Sequence, residues 1–214
     1  MGQIFRNKDG KPILMKMVKA IQDNKAYLGE VDGLIGDGDH GMNMNKGFTV
    51  FEERFGSEEF GFTEGLEELG MILMNEIGGS MGPIYGTIFT AMAEKGEGLE
   101  EISLTGFADI LEYALAKLQT IIEAQVGDKT LVDTLSSAAD SLRQSQKGGW
   151  DLMTAMNAMA EAAAKGRDST KDMVAKFGRS SRLGERSRGV LDAGATSCCL
   201  ILTAMAEGIK EMVC

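Results

Sequence analysis

Three carboxylates, four glycines, one amide and the single histidine of the chain lie within residues 32–43. The carboxylates are Asp32, Asp37 and Asp39, and acidic groups this close repel one another unless a cation lies between them. Glycines at this density interrupt helices and let the backbone approach a ligand closely. Mg²⁺ prefers oxygen ligands and often binds through carboxylates together with the phosphates of a substrate. The stretch therefore predicts a hard-cation site with an associated phosphate group.

Other interpretations of this stretch are weaker. An acidic surface turn would explain Asp-Gly-Asp alone, but the third carboxylate and the nearby amide favour a site. An EF-hand does not fit, because Gly41 and Phe48 occupy the fifth and twelfth positions from Asp37, where oxygen ligands are needed. A lone histidine such as His40 is more often a structural hydrogen-bonding group than a catalyst. Its position among the aspartates is compatible with phosphate contact or ligand orientation.

Apolar periodicity predicts about eight helices and no strand of useful length. Thr63 is expected to be the N-cap of the third helix. A further short helix is expected at 171–177, within the polar segment 166–189. Short loops imply antiparallel neighbours, so one all-α domain over residues 1–214 is expected. The eight main helices are predicted at 12–30, 42–55, 63–77, 84–93, 103–124, 128–146, 150–165 and 192–212.

Four loops rich in glycine and polar residues each precede a helix: 32–43, 78–83, 127–130 and 178–194. In an up-and-down arrangement, loops separated by two helices lie at the same end of the protein. Helix N-termini bind anions through free N–H groups and the helix dipole. Each loop alone is a weak signal, since glycine loops most often only turn the chain. Together they predict a phosphate group held with a metal at one end of the helices.

Charge and composition narrow the possible functions. A formal net charge of −10 argues against nonspecific nucleic-acid binding, which needs a basic surface. Residues 165–188 hold eight Lys or Arg and three acids, and this basic segment either binds an anionic partner or, as we prefer, balances the acidic remainder. No apolar run has the length of a membrane span, no signal-peptide core is present and the cysteines form no disulfide framework. A cytoplasmic location without membrane contact is expected.

Five motifs follow one another in order along the chain. They are Gly36-Asp37-Gly38-Asp39-His40-Gly41 with Asn43, Gly78-Gly79 with Gly82-Pro83 and Gly86-Thr87, Gly127-Asp128-Lys129-Thr130, Gly178-Arg179 with Leu183-Gly184-Glu185-Arg186-Ser187, and Asp192 with Gly194-Ala195-Thr196-Ser197. Each motif is modest, but the five in this order and spacing are highly specific. Over nearly the whole chain they resemble the ADP-binding L subunit of dihydroxyacetone kinase and the equivalent domain of ATP-dependent kinases of that family.

The resemblance implies a fold and a set of site residues. The fold would be a closed barrel of eight antiparallel helices with the nucleotide at one end. Asp32, Asp37 and Asp39 would hold two Mg²⁺ ions that bridge the nucleotide phosphates. The residues that would bind ADP or ATP are His40, Gly41, Met42, Asn43, Ser80, Met81, Gly127, Arg179, Asp192, Ala193 and Gly194.

The resemblance also implies a function. The chain would transfer a phosphoryl group from Mg²⁺-bound nucleotide to dihydroxyacetone or another short-chain ketose on a separate K subunit. ADP would stay bound and be recharged by a phosphoenolpyruvate-dependent phosphocarrier of the M type. The alternatives are an ATP-dependent kinase subunit for a related ketose such as erythrulose, a regulatory module that contacts a transcription regulator, and a plain metal-binding helical protein.

Two positions depart from the family pattern. Family members usually have a hydroxyl residue where this chain has Met81, although the adjacent Ser80 could substitute for it. They usually have a proline where this chain has Ala193, and its absence is expected to loosen the start of the last helix. Both departures leave the expected metal ligands intact.

Overall fold

The computed structural model describes residues 3–213, and the helical prediction is confirmed within that range. One antiparallel pair of three-residue strands joins β1 (Ile4–Arg6) to β2 (Glu101–Ser103). Short 3₁₀ helices lie at Asn7–Asp9, Thr170–Asp172 and Arg179–Ser187. The α-helices of the described chain are α1 (Lys11–Asp23), α2 (Lys25–Gly33), α3 (His40–Phe55), α4 (Phe62–Glu76), α5 (Met81–Gly96), α6 (Leu104–Leu118), α7 (Leu131–Lys147), α8 (Leu152–Ser169) and α9 (Ala193–Met212).

The helices share one apolar core. From α3 to α9 each helix packs against the next in the chain, and α1 packs against both α3 and α9. Aromatic rings fill the centre: Phe5 meets Phe62 edge to face at 5.4 Å, and Phe48 meets Phe89 at 6.3 Å. These rings are fully or almost fully buried, so they supply much of the apolar area that holds the helices together. Among the described residues, no helix is long and apolar enough to cross a membrane.

Several predicted helix boundaries are wrong, and three of them have the largest consequences for the site. The helix predicted at 12–30 is divided into α1 and α2 at Asn24, whose side-chain amide donates to the carbonyl of Ala20 and competes with the helix backbone. The helix predicted to reach residue 124 ends at Leu118. The next helix begins at Leu131 rather than 128, because Thr130 caps it.

Other local predictions also need correction. Thr63 is not the N-cap of α4, which begins at Phe62; the Thr63 N–H donates instead to Oδ1 of Asn7 at 3.0 Å. The 171–177 stretch is not an α-helix, since its regular part is confined to the 3₁₀ turn that ends at Asp172. The strands were missed because three residues carry too short an alternation to be recognised.

Helices α2 and α3 cross closely at Gly41. A Cβ atom at this position would lie 2.0 Å from the carbonyl oxygen of Lys25 and 2.8 Å from the nitrogen of Gly29. Only glycine therefore fits, and the close crossing fixes the two ends of the loop at 34–39 that joins these helices.

The Gly41→Ala substitution should destabilise the protein by about 1–3 kcal/mol, because the backbone of α2 must move away from α3. Urea unfolding measures the change. Gly78→Ala is the matched control, since a Cβ at Gly78 meets open space, and it should stay within about 0.5 kcal/mol of the parent. Equal unfolding midpoints for the two variants would contradict the close crossing.

Candidate functional site

Helices α3, α5, α7 and α9 begin around one cavity of about 1020 Å³. This arrangement confirms the prediction that four helix starts meet at one end. The positive ends of the four helix dipoles point toward this cavity, an arrangement that favours anions. The residues at these helix starts that line it are Asp39 and His40, Ser80 and Met81, Thr130 and Leu131, and Asp192, Ala193 and Gly194.

The three predicted carboxylates come together on the wall of this cavity. Oxygens of Asp32, Asp37 and Asp39 lie within 4.8 Å of one another, with Asp37 exposed and the other two half-buried. This donor set consists only of hard oxygen ligands and fits Mg²⁺. The carboxylates repel one another, so a divalent cation would relieve a repulsion that the fold imposes.

The backbone around Asp32 explains part of the glycine content. Asp32 lies in the last turn of α2, and its carbonyl oxygen accepts the N–H groups of Ile35 at 3.2 Å and Gly36 at 2.6 Å. Its carboxylate accepts the N–H of His40 at 3.4 Å and so connects the end of α2 to the start of α3. A Cβ at Gly36 would lie 2.3 Å from that carboxylate, so a side chain at position 36 would displace the Asp32 carboxylate from the cluster.

Arg179 reaches the carboxylates from a distant part of the sequence. Its guanidinium pairs with Asp37, and 64% of its side chain remains exposed. Guanidinium groups bind phosphate oxygens through paired, charge-assisted hydrogen bonds. Arg179 is therefore placed where it could contact a phosphate bound to a metal ion on the same aspartates.

His40 belongs to a buried hydrogen-bonded network with Ser197 and Tyr85. Its Nε2 atom lies 2.8 Å from Oγ of Ser197, and Oη of Tyr85 lies 2.6 Å from the same oxygen. The Tyr85 hydroxyl also donates to the carbonyl of Gly194 at 3.1 Å. Burial lowers the pKa of His40 to about 4, although Asp32 opposes this shift. The imidazole is thus neutral at pH 7, and its low basicity suits orientation of a ligand better than proton abstraction.

Asp192 caps the last helix beside the cavity. Its Oδ2 accepts the N–H of Ala195 at 2.7 Å, and its carbonyl accepts the hydroxyl of Thr196 at 2.7 Å. Burial raises the pKa of Asp192 to about 6, while the bond from Ala195 and the charge of Lys129 act in the opposite direction. Helix α9 begins at Ala193 with this cap in place. The expected loosening from the missing proline stays a prediction.

Three predicted site residues lie outside the cavity wall. Gly41 is the contact point between α2 and α3, and Met42 is 59% exposed. The Gly127 N–H donates to Oδ1 of Asp133 in the first turn of α7 at 2.6 Å, and its role toward a nucleotide stays a prediction. The predicted residues that do line the cavity are Asp32, Asp37, Asp39, His40, Asn43, Ser80, Met81, Arg179, Asp192, Ala193 and Gly194.

The cavity also contains residues that the sequence did not single out. Tyr85 was part of a stretch interpreted only as a buried helix. Ile121 lies within the predicted helix 103–124, but α6 ends before it and the side chain is 52% exposed on the cavity wall. Lys129 was noted only as part of a motif. No local signal marks Ile122, Ala124 and Phe177, three further apolar residues of the wall.

The basic segment at 165–188 is partly neutralised by the protein itself. Within residues 3–213, four of its eight basic side chains pair with acids, two inside the segment and two in the acidic remainder, so the interpretation that the segment balances that remainder stays a prediction. These pairs are Arg167–Asp168, Lys176–Asp128, Arg179–Asp37 and Arg188–Glu185.

Fold and site together define a helical protein whose helix N-termini surround a carboxylate cluster suited to a metal–phosphate ligand. Residues 34–207 match the DAK2 domain, and the chain belongs to that family.

Two relatives support this assignment over nearly full length. The chain is 35% identical over 188 residues to the PEP-dependent dihydroxyacetone kinase, ADP-binding subunit DhaL, of Escherichia coli, covering 86% of this chain and 89% of that protein. It is 36% identical over 188 residues to the ADP-binding subunit DhaL of PEP-dependent dihydroxyacetone kinase 1 from Listeria innocua, covering 87% and 89%.

A solved structure shares the fold. The dihydroxyacetone kinase from C. freundii in complex with AMP-PNP and Mg²⁺ superposes with a TM-score of 0.70 at 22% identity. The match covers 92% of this chain and 33% of that one. At this identity the similarity establishes the fold.

The Ser197→Ala substitution should cost about 1–3 kcal/mol of stability, because His40 Nε2 loses its buried partner and Tyr85 loses one of two. Chemical denaturation followed by circular dichroism measures this. Ser57→Ala, at an exposed serine, is the control and should change stability by less than about 0.5 kcal/mol. If both variants unfold at the same midpoint, the network does not stabilise the protein.

Proposed function

We propose that this protein is the nucleotide-binding subunit of a dihydroxyacetone kinase or a closely related short-chain ketose kinase. The observation that carries the proposal is the cluster of Asp32, Asp37 and Asp39, within 4.8 Å of one another, beside four helix N-termini. Carboxylates favour the metal and the N-termini favour the phosphates, so this site favours a metal–diphosphate over either component alone. Membership of the DAK2 family and the names of both relatives support the same function.

The three aspartates would hold two Mg²⁺ ions against the phosphates of ADP. Bound there, Mg²⁺ would neutralise phosphate charge and align the transferring group. Phosphoryl transfer depends mainly on positioning and charge stabilisation, so the chain needs no protein nucleophile.

Protein groups around the metals have separate roles in this proposal. Arg179 supplies positive charge and paired donors to a phosphate. Ser80, as the first residue before α5, provides a hydroxyl next to Met81, where family members usually have one. Neutral His40 orients the ligand from its anchored position. The apolar residues Ile121 and Phe177 offer a wall for the nucleoside and limit access of water.

The helices would form a closed barrel of one domain, with this site at one end. Support comes from the contacts of each helix with its chain neighbour from α3 to α9, and of α1 with both α3 and α9. In this arrangement α2 lies alongside, in contact with α3 and α9.

The ketose would bind to a separate K subunit, and a phosphocarrier would recharge the bound ADP from phosphoenolpyruvate. The names of the two relatives, which specify an ADP-binding subunit and PEP dependence, support this scheme over exchange of free ATP. A reconstituted assay decides between the donors: a K subunit, dihydroxyacetone and the phosphoenolpyruvate phosphocarrier chain should give turnover without added ATP. Turnover with ATP alone and none with the phosphocarriers would overturn the donor assignment.

In that assay, Asp39→Asn should lower turnover by at least about 100-fold, because it removes one ligand charge from the metal cluster. Asp23→Asn is the matched control, since Asp23 is exposed at the end of α1 and pairs with Lys19 across one helical turn. Parent-like turnover of the Asp39 variant would exclude this cluster as the catalytic metal site.

A further inference from the structure

We propose that Lys129 is a positioning residue that closes the base of residues 171–189, here called the arginine segment, and so holds Arg179 at the site. This inference rests on the proposed function for its effect on nucleotide binding. It assigns a role to the Gly127-Asp128-Lys129-Thr130 motif beyond that of an ordinary helix start.

The ammonium group of Lys129 joins the two ends of the arginine segment. Its Nζ donates to the carbonyl of Thr170 at 2.5 Å and also to the carbonyl of Val190. These carbonyls immediately precede and follow the segment. Lys129 is only 1% exposed, although burying a charged amine is costly unless its donors are satisfied. One buried cation thus closes the base of a long loop.

The backbone conformation of Lys129 supports its proposed role as a positioning residue. Its φ of 61° lies in the left-handed region, which a residue with a side chain rarely adopts. Such a conformation persists only where the surrounding structure determines it. Here the preceding Gly127 and the following cap, Thr130, fix the turn at the start of α7.

Additional contacts join the same motif to the arginine segment. The Lys176 N–H donates to the carbonyl of Asp128 at 3.2 Å, and its ammonium pairs with the Asp128 carboxylate at 2.5 Å. At the base, the Gly189 N–H donates to the carbonyl of Lys171 at 2.7 Å. The motif therefore contacts the segment at Lys176 and, through Lys129, the residues that flank its two ends.

Arg179 depends on this support. Its pair with Asp37 is largely exposed, and exposed ion pairs contribute little on their own. That single pair is too weak to order the whole segment, so its fixed ends, together with the buried bond from the Ala175 N–H to Oγ of Ser187 at 2.9 Å, determine where Arg179 lies. Loss of the Lys129 contacts should thus act on the ligand through Arg179.

A double-mutant cycle tests this dependence. ADP binding in the presence of Mg²⁺ is measured by calorimetry for the parent, Lys129→Met, Arg179→Ala and the double variant. We expect Lys129→Met to weaken binding about tenfold in the parent and less than about twofold in the Arg179→Ala background. The same loss in both backgrounds would show that Lys129 does not act through Arg179 and would overturn the proposal.

Hydrogen exchange of the ligand-free protein gives an independent readout. Lys129→Met should raise exchange at the amides of Ala175, Lys176 and Gly189 by at least about tenfold, while amides of α4 and α5 keep the parent rate. Lys171→Met is the matched control, since that side chain is exposed in the same segment, and it should leave these amides unchanged. Unchanged exchange in the Lys129 variant, or an equal rise throughout the protein, would overturn the proposal that Lys129 closes the base of the arginine segment.

The two readouts separate this inference from the proposed function. If the parent protein does not bind ADP with Mg²⁺, the proposed function fails, while hydrogen exchange still decides whether Lys129 closes the segment. If the parent binds ADP and Lys129→Met raises exchange equally throughout the protein, the proposed function stands and the proposed role of Lys129 fails.

Discussion

The mutual repulsion of three aspartates held within 4.8 Å is the constraint on which the rest of this structure depends. Like charges this close raise the free energy of the folded state unless positive charge is supplied nearby. The fold holds the three carboxylates this close because α2 and α3 cross closely at Gly41, and because Gly36 leaves room for the Asp32 carboxylate. Arg179 supplies one positive group from the protein, and a divalent cation would supply more.

The four helix starts add a preference for anions to the preference of the carboxylates for a cation. Carboxylates alone would favour any hard cation, and helix N-termini alone would favour any anion. Placed around one cavity, they favour a ligand that carries both, such as a nucleoside diphosphate with Mg²⁺. The network of His40, Ser197 and Tyr85 holds the starts of α3, α5 and α9 together, so the two kinds of attraction act on one ligand.

Much of this site could be predicted because its determinants are local. The aspartates and glycines of 32–43 stand close in sequence, and the alternation of helices places every second helix start at one end. Tyr85, Ser197 and Lys129 could not be predicted in their roles, because their partners lie 41 to 157 residues away in sequence and the contacts exist only in the folded protein. Helix ends at Asn24 and Leu118 were missed because side-chain bonds and turns outweigh apolar periodicity there.

The most direct test of the central claim is calorimetric titration of ADP into the nucleotide-free protein, with Mg²⁺ and with the metal chelated. If the aspartates and helix starts bind one metal–diphosphate ligand, affinity for ADP should fall at least about 100-fold, or about 2.7 kcal/mol, when Mg²⁺ is removed. Equal affinity for ADP with and without Mg²⁺ would contradict the account.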